Sequence, residues 1–183
     1  MKAHKAWSYA PYRPPFVEVG DIYICRIVPD ADSITFSWLP VGDVTYTVCC
    51  ARRGETPQPI GKTTNTTFCI TGLETSAEYA FFVEADGKKS RTRLARCGTA
   101  FGTTVNYLHP EDDAYRFSGR FLCSPSLLRL PDGGLLASMD LFAGDHPQNL
   151  TLIFRSDDDG RTWHYQCELF PCFWGKLFLQ GQR

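Results

Sequence analysis

Short stretches in which apolar and polar residues alternate, separated by turn-forming clusters, fill most of the chain. Residues 22–28 (Ile-Tyr-Ile-Cys-Arg-Ile-Val) alternate, Pro29-Asp30-Ala31-Asp32 turns, and 33–38 alternate again with Ile34, Phe36 and Trp38 on one face. Residues 44–50 and 67–71 read as further strands, as do 79–85 and 91–95. Beyond a polar stretch at 106–113, a strand-turn-strand pattern spans 123–142 around Pro131-Asp132-Gly133-Gly134. Strands at 150–155 and 164–169 follow, and 173–179 reads as one more. Short, mostly alternating segments joined by punctuated turns make the expected class all-β.

Composition narrows this picture. Fifteen Gly, twelve Pro, thirteen Phe and eight Tyr suit short strands with punctuated turns, and 43% hydrophobic content is enough for a packed core. Nineteen Lys and Arg balance twenty Asp and Glu, and a net charge of -1 gives no electrostatic reason to expect nucleic acid or an anionic membrane as partner. The longest apolar runs, such as 80–83, are far shorter than the roughly 20 residues of a membrane helix. The first residues carry two lysines but no apolar run of signal-peptide type, so the sequence as it stands reads as cytoplasmic, with an extracellular setting open if the N-terminus is incomplete. Eight cysteines without a Cys-x-x-Cys pair read mostly as small buried hydrophobes, and no metal or cofactor is called for. His109, Glu111, Asp112 and Asp113 read as an exposed acidic loop, and the arginines and lysines at 52, 53, 88, 89, 91 and 93 as a solvated face.

Two series of residues are more specific. Trp38 on an early strand, Tyr46 on the next, and Leu73 followed by Tyr79 at the opening of a strand resemble the core of a fibronectin type III domain. Leu73 and Tyr79 form the pattern of a tyrosine corner, in which the phenol closes back on upstream backbone. The resemblance covers about 80 residues, taken as 16–99 after an N-terminal extension 1–15, and implies a β-sandwich that serves as a docking module for a protein partner.

The second series is Ser156-Asp157-Asp158-Asp159-Gly160-Arg161-Thr162-Trp163, which fits Ser-x-Asp-x-Gly-x-Thr-Trp and resembles the Asp-box of bacterial neuraminidase repeats. Ser156, Asp158, Gly160, Thr162 and Trp163 are its structural residues. With the Ser-Pro-Ser-Leu and Leu-Pro-Asp-Gly stretches before it, this region is similar to the first blade of the sialidase family. The resemblance implies a linker at 100–120 and, over 121–183, one four-stranded blade and the start of a second in an incomplete β-propeller. It also implies a glycoside hydrolase parent acting on terminal sugars of glycans. The family's acid/base Asp falls on Asp145, and Trp174 with Lys176 are the candidate sugar contacts. Cys123 and Phe142 stand where the family has two of its substrate-binding arginines, and its nucleophile comes from later blades. The chain alone is therefore expected to be inactive. The competing reading is a non-catalytic fibronectin type III interaction or glycan-binding module.

Overall fold

The computed structural model describes residues 19–116, 118–142 and 150–181. All of its regular elements are strands, and among the described residues no helix is long and apolar enough to cross a membrane. The N-terminal extension 1–15 and the loop that carries Asp145 lie outside the described residues.

Residues 24–96 make two sheets. The first joins β1 (Ile24–Pro29), β2 (Ser33–Trp38) and β5 (Thr67–Thr71) in the order β1-β2-β5. The second joins β4 (Gln58–Thr63), β3 (Tyr46–Arg52) and β6 (Glu78–Ala85), with β7 (Lys88–Lys89) and β8 (Arg93–Arg96) both pairing with β6. Every pairing is antiparallel. Alternation places Ile34, Phe36 and Trp38 of β2 opposite Tyr46, Val48, Phe81 and Val83, and together they form one buried cluster between the sheets. Within it the rings of Phe36 and Phe81 lie 4.6 Å apart, and Trp38 meets Tyr46 edge-on at 5.2 Å. Each such side chain contributes about 1.5–3 kcal/mol by leaving water.

Hydroxyl groups tie off two ends of the sandwich. Tyr46 accepts a hydrogen bond from the Val41 amide at 3.1 Å, and Tyr79 accepts one from the Glu74 amide at 2.9 Å. The second closes the 74–79 turn, against which half-buried Leu73 packs on the core.

Two strands escape the alternation pattern. β4 carries Pro59 and Gly61 and sits at the sheet edge beside a bulge at Val48/Cys49, where a missing amide is tolerated. Gly61 is there because a Cβ would come within 2.7 Å of the Phe68 ring. β7 is only two residues long and is set by the Asp86-Gly87 turn, both residues at positive φ, a two-residue hairpin.

The remaining strands, β9 (Phe121–Arg129), β10 (Leu135–Phe142), β11 (Leu150–Ser156) and β12 (His164–Leu169), form a four-stranded antiparallel meander in the order β12-β11-β10-β9. No closed ring of such sheets is present among the described residues. One face of the meander, with Leu135, Ala137, Leu141, Leu152 and Phe154, packs on Tyr23 and Cys25 at the start of the sandwich and on Ala114 and Tyr115.

Within the 98–120 segment, the chain is stitched down from Thr104 to Ala114. Arg26 donates from Nε to the Val105 carbonyl at 2.7 Å, and the Ile27 amide donates to Asn106 Oδ1 at 3.0 Å. His109 and Asp112, expected in an exposed acidic loop, are buried. The reason is pairing: Asp112 accepts from Arg93 Nε at 2.7 Å and from the Ala114 amide at 2.9 Å. His109 Nδ1 accepts the Glu111 amide, which leaves the ring proton on Nε2, 3.3 Å from Glu78 Oε1.

The expected strand at 173–179 is not one. Trp174 sits at φ 56°, outside the extended region. The amides of Trp174 and Leu177 donate to the side chains of Asp140 and Ser126 instead of to a neighbouring strand.

Candidate functional site

The β11–β12 turn is organised around one carboxylate. Asp158 Oδ1 accepts from the Ser156 hydroxyl and from the Thr162 amide, both at 2.8 Å, and Oδ2 accepts from the Thr162 hydroxyl at 2.6 Å. The Ser156 oxygen in turn accepts the Gly160 amide at 2.9 Å. Asp159 and Gly160 carry the reversal at φ 62° and 84°, and Trp163 donates from Nε1 to the Gly160 carbonyl at 3.1 Å while its ring enters the buried cluster below the sheet. Led by the Thr162 hydroxyl and amide, these donors hold the Asp158 carboxyl down at about 2. Around this turn Arg129 pairs with Asp159, and Arg155 with Asp132 and Asp157, so both of these arginines are held in ion pairs. Ser156, Asp158, Gly160, Thr162 and Trp163 all bond within the turn, which makes it a structural device.

The opposite face of the meander is crossed by residues 172–177, which run over β11, β10 and β9 in turn. Thr151 donates its hydroxyl to Asp140 Oδ1, and the Cys172 carbonyl lies 3.4 Å from the same hydroxyl. Asp140 Oδ2 accepts the Trp174 amide at 2.7 Å. Lys176 donates to the Pro125 carbonyl at 3.2 Å, and the Leu177 amide donates to Ser126 Oγ at 3.1 Å. Asp140 is fully buried. A carboxylate within the apolar run Leu136-Ala137-Ser138-Met139-Asp140-Leu141 was the available sequence signal for this arrangement, and sequence reasoning missed it.

On the outer side of this strap the Phe142 and Phe173 rings stack at 5.2 Å and 12°, and Phe173 and Trp174 at 5.1 Å and 28°. Trp174 is 72% exposed. Of the ten large hydrophobic side chains that are exposed among the described residues, eight belong to the meander, its strap and the two residues 178–179 that follow, which concentrates apolar surface on this part of the molecule. Trp174 and Lys176 are thus close in sequence on one strap. Asp145, the expected acid/base, lies outside the described residues, so its distance from them is not part of the arrangement.

A second cluster, unforeseen in the sequence, lies at the junction of sandwich and meander. Tyr23 and Tyr115 share a hydrogen bond between their hydroxyls at 2.7 Å, and Tyr165 of β12 packs edge-on against Tyr23 at 5.8 Å. Arg93 lies over the Tyr115 ring and donates from Nη1 to the Ile24 carbonyl at 2.7 Å. Burial opposes the guanidinium charge, but Asp112 more than offsets it, so Arg93 titrates above its ordinary value. Burial, reinforced by Tyr115, raises Tyr23, and burial lifts Cys25 to about 12. A tyrosine pair and a thiol held in their neutral forms with an enclosed ion pair make a joint rather than a reactive centre.

No protein-family pattern matches the chain, and no curated protein matches it. Among solved structures it is similar to the FN5 domain of Drosophila Lar, at 21% identity over 44% of this chain and 94% of that one, with a TM-score of 0.36. It is similar also to the fn3 domain of human collagen alpha-1(XX), at 20% identity over 55% of this chain and 99% of that one, TM-score 0.33. The FN1-FN3 domains of chicken CNTN1 match at 13% identity over 80% of this chain and 65% of that one, TM-score 0.34. The chain itself defines an all-β protein: a two-sheet sandwich joined to a four-stranded antiparallel meander.

Proposed function

We propose that this chain is a non-catalytic interaction module: a fibronectin type III-like sandwich serves as a rigid base, and the meander fused to it presents a contact surface. The observation that carries the reading is the concentration of exposed hydrophobic side chains on the meander and strap. The strand order β1-β2-β5 facing β4-β3-β6, with Tyr79 closing the 74–79 turn, supports the fibronectin type III-like part. A protein partner on the sandwich fits the same reading.

The sialidase-like resemblance gives a second reading, favoured by the hydrogen-bonded Asp-box between β11 and β12 of a four-stranded meander. In it the chain carries part of a glycoside hydrolase for terminal sugars, with Asp145 as the acid/base. Against catalysis by this chain stand Cys123 and Phe142 at the two arginine positions. Hydrolysis of 4-methylumbelliferyl α-sialoside separates the two. The module releases no fluorophore above the buffer rate, whereas release that disappears in Asp145→Asn overturns the non-catalytic reading.

A further inference from the structure

The strap presents an exposed indole on a strained backbone. Trp174 is held in the left-handed region at φ 56°, a conformation that costs a bulky residue strain. Its amide is fixed there by Asp140, a wholly buried carboxylate whose other oxygen is held by Thr151. The result exposes an indole instead of burying it. Its inner side is backed by Phe173, which is backed by Phe142, so the stack leaves one broad aromatic face toward solvent.

We propose that the outer face of Trp174 is a stacking platform for a pyranose ring. A hot-spot aromatic in a protein interface fills a pocket as a knob. An indole backed flat by a second ring instead offers a rigid plane, suited to the flat C–H face of a sugar. Polar capacity is at hand: Lys176, two residues on, uses one of its three ammonium donors on the Pro125 carbonyl, which leaves two for ring hydroxyls. Residues 170–181 carry this lysine as their single charged side chain, so nothing on the strap repels hydroxyl oxygens or a sugar carboxylate. Asp140 acts here as a positioning residue through the Trp174 amide.

This inference rests on the reading of the strap side as a contact surface. Turnover of the sialoside would overturn the non-catalytic reading without touching the platform. The test of the platform is a titration of the full chain with methyl β-D-galactopyranoside, following the indole N–H signals by two-dimensional NMR, with mannitol as an acyclic control of similar hydroxyl content. The Trp174 signal is expected to move with a dissociation constant of about 1–10 mM, while those of Trp38 and Trp163 stay in place. Trp174→Ala, whose folding is checked by unchanged Trp38 and Trp163 signals and whose binding is followed on the backbone amide signals of Lys176 and Leu177, is expected to weaken binding by about tenfold or more. Lys176→Met is expected to weaken it a few-fold. No movement of the Trp174 signal, equal movement with mannitol, or undiminished binding in Trp174→Ala would each overturn the platform.

Discussion

Three side chains show how much a single polar atom decides. The Tyr79 hydroxyl satisfies the Glu74 amide at the entrance to β6. Tyr79→Phe keeps the ring in the core and orphans that amide, so it is expected to lower stability by about 1 kcal/mol. The check is a shift of the urea midpoint with an unchanged slope. Arg93 and Asp112 are more demanding, being a buried pair with relative side-chain exposure of 4% and 0%. Arg93→Met leaves the carboxylate without its partner and is expected to cost about 3–5 kcal/mol, whereas adding Asp112→Leu recovers most of that loss. A double variant as unstable as the single one would contradict this account of the pair. Thiols report burial in the same way. Cys69 and Cys167 are exposed, while Cys25 is buried with its pKa raised to about 12. A slow-labelling alkylating reagent at pH 8 is expected to modify the first two in the native protein and Cys25 only after unfolding, as read by peptide mass mapping.

At the level of elements, the Asp-box turn carries its own pH dependence. The folded-state pKa of Asp158 is depressed to about 2, below the ordinary carboxylate value of about 4. Its contribution to stability is therefore fully present above about pH 4 and is lost as the pH falls toward 2. Asp158→Asn is expected to be less stable than the parent at pH 7, with a stability that falls less steeply between pH 4 and pH 2. Parallel curves would show that the carboxylate does not hold the turn. This turn was legible because its logic is local: Ser156, Asp158, Gly160 and Thr162 bond within seven residues. β2 and β10 were legible for a similar reason, since a period of two shows wherever one face is buried. β4 was not, because Pro59 and Gly61 hide an edge strand whose shape is set by Phe68, a residue of another strand. The strap at 172–177 was misread as a strand because its apolar pattern suits one. What prevents pairing is the capture of its amides by Asp140 and Ser126, at distances in sequence that no local pattern reveals. Of the candidate site, Trp174 and Lys176 could be named from the sequence, while the carboxylate that aims the strap could not.

For the molecule as a whole, the junction is what turns two sets of strands into one body. The meander does not hang from a loose linker. Its inner face, the 98–120 segment and the start of β1 share one buried cluster, sealed by the Tyr23–Tyr115 hydrogen bond and the Arg93–Asp112 pair. A rigid base of this kind lets a surface on the meander hold its shape before a partner arrives, which lowers the ordering cost of binding. It also explains why His109 and Asp112, which read as solvent-facing in isolation, are enclosed while Glu111 and Asp113 stay exposed: the first two belong to an interface made by distant strands. A shared core of this kind makes sandwich and meander fold as a single unit. Differential scanning calorimetry of the chain with its thiols kept reduced tests it directly. One transition is expected, whose calorimetric and van't Hoff enthalpies agree and which moves downward intact in Arg93→Met. Two resolved transitions in the parent protein, with only one of them shifted by Arg93→Met, would contradict it.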